Sequence, residues 1–214
     1  MSGETGVAIV IGALFGYLLG SVQTGLIVGR LRGGIDVREY GSGKTGFTNS
    51  LRSMGLKAAL LVLAGDLLKG VAPVLVGRFL LDDPWAAAAG GAAVVIGHTW
   101  PVFAGFRGGR GVATAFGAFL AVSPLAALIV VAAAALVLAA TRYVSLMSVL
   151  GVAAGFAVLV GLVALGELNP AYLLFGVLAF AFVELNHLGN IRRLLAGTEP
   201  KLGQGGGRRA PASR

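Results

Sequence analysis

Long apolar runs alternate with short polar segments along this 214-residue chain. A membrane-spanning helix needs about 20 mostly apolar residues, with a range of about 17 to 25. Most of the runs approach or exceed that length, whereas 85–99 and 112–122 are shorter, so each of these two predicts a tilted helix, a buried helix or part of a re-entrant pair. The runs cover residues 5–29, 56–81, 85–99, 112–122, 124–140, 144–166 and 170–184.

The charges between the runs predict their direction, because cytoplasmic loops of membrane proteins are enriched in lysine and arginine. A basic cluster follows the first run, and the acidic pair Asp82 and Asp83 follows the second. If the run 112–122 crosses, every basic segment falls on one side, whereas otherwise the basic C-terminal residues would be exported. We therefore predict an all-α, polytopic membrane helix bundle of about seven transmembrane helices. Its N-terminus is expected outside and its C-terminus inside.

Composition supports this class, since 57% of the residues are hydrophobic and only 12% are charged. Soluble domains carry about a quarter charged residues. The first run lacks a preceding basic region, so we expect a retained span rather than a cleaved leader. We predict one integral-membrane domain over residues 1–203 and a disordered basic tail over 204–214, with any site facing the cytoplasm.

Net charge and cysteine content narrow the function classes. The formal charge of +8 in so apolar a chain favours anionic lipid and an anionic substrate over nucleic acid. The chain has no cysteine, which excludes disulfides and thiolate metal sites. Only two histidines are present, and no carboxylate–histidine spacing repeats, so we expect no metal and no cofactor.

The first polar segment, residues 41–52, combines three glycines with two cations. It resembles a phosphate-binding P-loop at Gly43-Lys44-Thr45, but that motif requires a glycine where Arg38 stands. What remains is a candidate anion nest, in which glycine lets backbone N–H groups converge on an oxyanion. The alternative, equally favoured by this segment alone, is a flexible loop whose cations only set topology. The candidate ligands are Gly41, Ser42, Gly43, Lys44, Thr48, Asn49 and Arg52.

The second polar segment follows His98, where Pro101 is expected to end a helix. Two arginines then alternate with glycines, and a new helix is expected to begin near Val112. Helix N-termini attract anions, so we predict a second phosphate-binding loop. For His98 a packing role at the helix end is equally favoured. The candidate ligands are His98, Arg107, Gly108, Gly109 and Arg110.

The third polar segment runs from His187 to Gly203 at the end of the last span. His187, Asn190 and Arg193 are spaced three apart, which places them on one face of a helix. Glu184 is a candidate to orient the His187 ring, and Glu199 is a candidate to hold an arginine.

Asp66 and Lys69 lie inside the second apolar run at helical spacing. Charges within the membrane are costly unless they are paired. We favour a local ion pair that seals the bundle; the alternative is a pair that supports the site from below.

Together and in order, the three segments resemble the PlsY family of bacterial acyltransferases, which transfer an acyl group from acyl phosphate to glycerol 3-phosphate. The first segment resembles the family's GSGN-x-GATN motif with Arg52 following, the second its GH-x-x-PV-x-x-x-FKGGKGVAT motif, and the third its HR-x-NI-x-RLL-x-GTEPKLG motif. The likeness extends from about residue 20 to residue 203. Departures are lysine at 44, phenylalanine at 47, leucine at 188, and arginine instead of lysine at 107 and 110.

This resemblance implies a glycerol-3-phosphate acyltransferase that acts in phospholipid biosynthesis and forms lysophosphatidate and phosphate at the sn-1 hydroxyl. It implies catalytic roles for Ser42, Arg52, His187 and Asn190, with Ser42, Thr48, Asn49 and Arg52 on the acyl-phosphate side. Substrate binding would involve Gly41, Gly43, Lys44, Thr48, Asn49, His98, Arg107, Gly108, Gly109, Arg110, Arg193 and Glu199. Its partners would be acyl phosphate, glycerol 3-phosphate and the bilayer, and its location would be the bacterial cytoplasmic (inner) membrane.

A carrier or channel for a small anion is the competing class, since glycine-broken helices with cationic ends also describe such sites. No convincing inverted repeat supports it. A non-catalytic membrane scaffold is disfavoured by the charged glycine loops. The sequence sets neither the acyl-chain preference nor the oligomeric state.

Overall fold

A computed structural model describes residues 3–208. Within that range the chain forms nine α-helices and no β-strand, with one isolated bridge between Tyr40 and Arg208. The helices are α1 (Gly3–Ser21), α2 (Thr24–Leu31), α3 (Phe47–Met54), α4 (Leu56–Leu75), α5 (Pro84–Thr99), α6 (Val112–Val122), α7 (Pro124–Thr141), α8 (Val144–Ala164) and α9 (Tyr172–Leu195).

The all-α membrane architecture predicted from the sequence is confirmed. Six helical segments of residues 3–208 are long and apolar enough to span a membrane. The α6 helix is apolar but has only 11 residues, about 16 Å at 1.5 Å per residue. The exact number of crossings and the side on which each end lies therefore stay predictions.

Two predicted runs have different boundaries in the structure. The first run is broken between Ser21 and Thr24, so that α1 and α2 are separate helices. The last run was predicted to end at residue 184, but α9 continues to Leu195. The residues that extend α9 are polar. His187 and Asn190 are buried on one face, as predicted. Arg192 and Arg193 lie in the last turn, where cations stabilise the helix dipole.

Glycines bring α1 and α5 into direct backbone contact. A Cβ on Gly12, Gly16 or Gly20 would overlap the carbonyl groups of Ala86, Gly90 and Val94, respectively. Because both series advance by four residues in the same direction, the two helices are parallel. Small residues at such a seam allow close van der Waals packing, which drives helix association in lipid. A similar contact joins α4 to α6, where Gly70 meets Thr114 and Gly117 meets Leu67.

These contacts bring the three polar segments to one end of the bundle. Gly111, at the start of α6, lies against Val95 of α5 and Val183 of α9. Gln23, in the break between α1 and α2, contacts the carbonyl of His98 at the end of α5. Helices α4 and α5 are antiparallel, with Gly77 beside Ala87 and Asp66 beside His98. Asp66 lies ten residues into α4, about 15 Å along the helix axis from its first residue.

The first residues of the predicted tail, 204–208, pack against the first polar segment. The N–H of Gly41 donates to the carbonyl of Gly207 at 3.1 Å, and Arg208 pairs with Glu39 at 3.0 Å. Residues up to 208 therefore cover part of the first polar segment, whereas residues 209–214 of the predicted tail lie outside the described range. The proposed boundary at residue 203 stays a prediction.

Candidate active site

The first polar segment is a loop closed by one asparagine. Asn49, 2% exposed, accepts from the N–H of Ser42 at 3.0 Å and donates to the carbonyls of Val37 at 2.7 Å and Lys44 at 2.9 Å. Gly41 has φ 48°, and a Cβ there would overlap the Asn49 side chain. Asn49 therefore fixes the curvature of the loop, which leaves Ser42, Lys44 and Thr48 partly accessible at its surface.

The second polar segment turns back over His98. The N–H of Gly108 donates to the carbonyl of Thr99 at 3.2 Å, and the N–H of Gly109 donates to the carbonyl of His98 at 3.1 Å. A Cβ on Gly108 would overlap the His98 carbonyl, and one on Gly109 would overlap the imidazole. Only glycine fits at either position, and the turn delivers Arg110 to the start of α6.

The third polar segment is organised by Glu199. Its two carboxylate oxygens accept from Nδ2 of Asn190 at 2.6 Å and from Nε of Arg193 at 2.7 Å, as predicted for an arginine. Burial alone would raise the pKa of Glu199, but the hydrogen bonds from Asn190 and Arg193 outweigh burial, so its pKa lies below the ordinary value. Glu199 is therefore the anion that fixes both side chains.

His187, 1% exposed, is oriented by backbone. Its Nδ1 lies 2.8 Å from the carbonyl of Val183. Since a carbonyl only accepts, Nδ1 carries the proton, and in the neutral ring Nε2 is left as an acceptor. The prediction that Glu184 orients this ring is wrong, because Val183 already occupies Nδ1 and Oε1 of Glu184 has no hydrogen-bond partner within residues 3–208.

The three segments share one electrostatic environment. Burial, together with the charges of Arg193 and Arg52, lowers the pKa of Arg110 to about 10 against the opposing effect of Glu199. Burial and then the charges of Arg110 and Arg107 lower the pKa of Lys44. Burial likewise lowers the pKa of Arg52. Arg110, with a pKa of about 10, remains charged at neutral pH, and the repulsion between it and the neighbouring cations favours binding of an anion.

Two arginines in this cluster have unused donors. The Nε atoms of Arg52 and Arg110 are buried, and neither has a hydrogen-bond partner among residues 3–208. Unpaired buried donors on a charged group are costly, and guanidinium groups match the geometry of phosphate oxygens. This arrangement provides binding capacity for a phosphate between the first and second segments.

The structure thus brings together the predicted residues of all three segments, but the side chains of Asn49 and His98 are buried against the protein's own loops. Asn49 clasps its own loop, and His98, 3% exposed, lies beneath Gly109. Their substrate-binding assignments, like the other site assignments, remain predictions. Within the described residues no group of three or more histidine, aspartate or glutamate side chains is arranged to hold a metal ion.

Sequence analysis missed a set of hydrogen bonds that joins the residues before the first segment to the turn before the second. Arg38 donates to both oxygens of Asp36, at 2.7 Å for the shortest contact, and to the carbonyl of Ala104 at 2.9 Å. Hydrogen bonding from Arg38 lowers the pKa of Asp36. The Asp36-Val37-Arg38 sequence was part of the family likeness, but nothing in its spacing indicated a partner in residues 102–104.

The fold and this site define an all-helical integral membrane protein with a cluster of cationic side chains at one end of the bundle. A family model for glycerol-3-phosphate acyltransferase matches residues 10–197. The chain is 48% identical over 197 residues to the glycerol-3-phosphate acyltransferase of Rubrobacter xylanophilus, covering 91% of this chain and 96% of that one. It is 44% identical over 195 residues to that of Thermoanaerobacter sp. strain X514, with the same coverages.

Solved structures of PlsY (YgiH), an integral membrane glycerol 3-phosphate acyltransferase, share the fold. The glycerol 3-phosphate form aligns with a TM-score of 0.83 and 38% identity, covering 91% of this chain and 96% of that chain. The lysophosphatidic acid form aligns with a TM-score of 0.80 and 37% identity, covering 90% and 94%. The chain belongs to the glycerol-3-phosphate acyltransferase family of PlsY proteins, which are integral-membrane acyltransferases of glycerophospholipid synthesis.

Proposed function

We propose that this protein transfers an acyl group from acyl phosphate to the sn-1 hydroxyl of glycerol 3-phosphate, giving lysophosphatidate and inorganic phosphate. The observation that carries the proposal is the pair of buried, unpartnered Nε donors on Arg52 and Arg110, which belong to the first and the second polar segment. Acyl phosphate and glycerol 3-phosphate each carry a phosphate, so the reaction requires two neighbouring anion sites. In this assignment Ser42, Thr48, Asn49 and Arg52 serve the acyl phosphate, while Arg107, Gly108, Gly109 and Arg110 hold glycerol 3-phosphate.

An apolar cavity beside the second loop supports an acyl substrate. The cavity, about 120 Å³ in volume, begins at Val112 and lies between α6, α7, α8 and α9. Its polar lining is almost confined to Ser148. Since Val112 directly follows the cationic loop, an acyl chain in this cavity would have its reactive end next to Arg110. The principal lining residues are Val112, Phe116, Phe119, Met147, Phe156 and Phe180.

In the proposed reaction the sn-1 hydroxyl oxygen attacks the carbonyl carbon of the acyl phosphate. A carbon–oxygen bond forms to glycerol, the bond from that carbon to the phosphate oxygen breaks, and phosphate leaves with the proton of the hydroxyl. Arg52 and nearby N–H groups would stabilise the charge that develops on the carbonyl and the leaving phosphate. His187 and Asn190 would position the hydroxyl, with Nε2 of His187 as its acceptor.

We propose that positioning outweighs proton abstraction at His187, because acyl phosphate is already activated and its own phosphate can take the proton. His187→Ala is expected to reduce kcat by a factor of about 100 or more, within the usual range for a positioned group. The wild-type rate is expected to show no one-proton limb near pH 6.5, the ordinary pKa of histidine. A pH profile of phosphate release with such a limb, absent in the variant, would overturn this assignment in favour of a general base.

The reaction is tested with purified protein, palmitoyl phosphate and glycerol 3-phosphate. Phosphate release that requires both substrates, with 1-acyl lysophosphatidate as the product by mass spectrometry, is the expected result. Palmitoyl-CoA serves as the alternative donor, and turnover with it but not with palmitoyl phosphate would reject the proposed donor. Uptake of glycerol 3-phosphate into proteoliposomes without any acyl transfer would instead support the anion carrier.

We also propose that the site faces the cytoplasm of a bacterial inner membrane. Within residues 3–208, Arg78 is the basic residue at the end of the bundle opposite the site, where Glu4, Asp82, Asp83 and Glu167 also lie. The site end carries basic residues in the loops between α2 and α3, between α5 and α6 and between α7 and α8, and after α9, and positive loops remain in the cytoplasm. This orientation places the N-terminus outside and the C-terminus inside.

A further inference from the structure

A buried polar hub lies beneath the two phosphate loops, and the proposed reaction assigns most of it no role. We define the hub as Gln23, Thr24, Thr45, Asp66, Lys69 and His98. All but Thr24 are buried, with side chains contributed by the break between α1 and α2, by the first loop, by α4 and by the end of α5. So many polar groups inside an apolar bundle are costly unless each is satisfied.

The centre of the hub is the carboxylate of Asp66. Its Oδ1 lies 2.9 Å from Nζ of Lys69, accepts from the hydroxyl of Thr24 at 3.1 Å and lies 3.6 Å from Nδ1 of His98. Lys69 in turn donates to the carbonyl of Val22 at 2.8 Å. An ion pair that only neutralised two charges within α4 would need no partners outside that helix. This pair also contacts α5 and the break between α1 and α2.

His98 transmits the position of this pair to the second loop. Its ring is packed so closely against Gly109 that no Cβ fits between them, and its backbone carbonyl accepts from the N–H of Gly109 at 3.1 Å. A shift of the imidazole therefore shifts the loop that carries Arg107 and Arg110.

Gln23 connects the same histidine to the first loop. Its Oε1 accepts from the hydroxyl of Thr45 at 2.6 Å, and its Nε2 lies 3.3 Å from the carbonyl of His98. The hub is therefore continuous from the first loop, through His98, to the charge pair on α4.

We propose that Asp66 and Lys69 are positioning residues for catalysis, which act through His98 to hold the second loop in the geometry that binds the glycerol 3-phosphate headgroup. This inference rests on the proposed assignment of that loop to glycerol 3-phosphate. The pair touches neither substrate. The Asp66 carboxylate lies against the ring of His98 at 3.6 Å, where Nδ1 has no hydrogen-bond partner among residues 3–208, and that ring supports Gly109 and the arginine that follows.

The decisive comparison is the double variant Asp66→Asn/Lys69→Met, which removes both charges and so leaves neither one buried and unpaired. We expect a melting temperature within a few degrees of wild type, a KM for glycerol 3-phosphate raised about tenfold, and a KM for palmitoyl phosphate within about twofold. Wild-type KM values for both substrates would overturn the proposal and support a purely structural ion pair. An equal rise in both KM values would also overturn it.

Two further variants keep the test decisive. If the double variant does not fold, Asp66→Glu retains both charges but displaces the carboxylate, and the same selective rise in KM for glycerol 3-phosphate is expected; wild-type kinetics in Asp66→Glu would contradict the proposal. Tyr172→Phe, a buried polar deletion at the opposite end of the bundle, is the matched control and should leave both KM values unchanged.

Failure of the loop assignment gives a different result. If Arg110→Met leaves the KM for glycerol 3-phosphate unchanged, the second loop does not bind that substrate, whatever the Asp66 variants show. If Arg110→Met raises this KM and the double variant does not, the loop assignment stands and the positioning role of the hub is rejected.

Discussion

At the scale of single residues, Arg110 is the most informative side chain. It is largely buried, its Nε is unpartnered among the described residues, and relatives with the family motif are expected to carry lysine there. Charge is therefore the common requirement at this position, and the guanidinium fork adds geometry.

We expect Arg110→Lys to raise the KM for glycerol 3-phosphate by less than about tenfold, because the charge is retained. Arg110→Met should lower kcat/KM by about 10- to 200-fold, since a hydrogen bond to a charged group contributes about 1.5–3 kcal/mol. Phosphate-release kinetics measure both variants. Equal loss in the two variants would show that geometry, not charge, governs this position.

Glu199 supplies the pH-dependent prediction. Its pKa in the folded protein is lowered, so its contribution to stability is present above the unfolded-state value of about 4.3 and is lost as the pH falls through the folded-state pKa. Glu199→Gln should therefore have a lower melting temperature than wild type at pH 7, and the difference should shrink as the pH falls from about 5 towards 3.

Thermal unfolding in detergent across that pH range measures the difference. A constant gap between wild type and Glu199→Gln would show that the carboxylate charge is not what holds Asn190 and Arg193.

Residue chemistry was predictable where cations and glycines recur together, as in the second loop. It was not predictable where a partner comes from elsewhere in the chain. Glu184 was a reasonable guess for orienting His187, being three residues away on the same helix, yet the backbone carbonyl of Val183 provides the bond. Likewise, the spacing of Asp66 and Lys69 predicted their pairing, but not the contacts with Thr24 and His98.

At the scale of secondary-structure elements, the seam between α1 and α5 depends on glycine. Gly16→Ala should destabilise the protein by about 1–3 kcal/mol, because its Cβ would overlap the backbone of Gly90. The expected fall in melting temperature is about 2–4 °C for each kcal/mol in a chain of this size.

Gly161→Ala is the matched control, since a Cβ at this helical glycine meets nothing within 4 Å. Alanine is favoured over glycine inside a helix by about 0.5–1 kcal/mol, so this variant should be neutral or slightly stabilised. If neither Gly16→Ala nor the control changes the melting temperature, the two helices are not in the close backbone contact described.

Element boundaries followed from hydropathy where an apolar run begins at proline or directly after glycine, as at Pro84, Val112 and Pro124. Hydropathy did not predict the final turns of α9. These turns are polar because one of their faces is buried in the site. It also gave no sign of the break before α2, or of α3, which is short and whose position is set by contacts with α4 rather than by its own periodicity.

At the scale of the whole molecule, orientation is open to a clean test because the chain has no cysteine. We expect Asp82→Cys to react with a membrane-impermeant maleimide in intact spheroplasts, and Gly197→Cys to react only after the membrane is opened. The cysteine-free wild type is the blank. The reverse pattern would place the site outside and contradict the proposed use of cytoplasmic substrates.

The short α6 helix has a consequence for how material enters and leaves. Because α6 starts beside Val183, well before the end of α9, the water-soluble reactant would have to enter the bundle to meet an apolar one that arrives sideways from the leaflet. Once joined, the amphiphile has its tail already among lipid tails and its headgroup below the membrane surface. Under the proposed reaction, the lipid product would then leave sideways into the same leaflet. Inorganic phosphate would leave separately, into the aqueous phase.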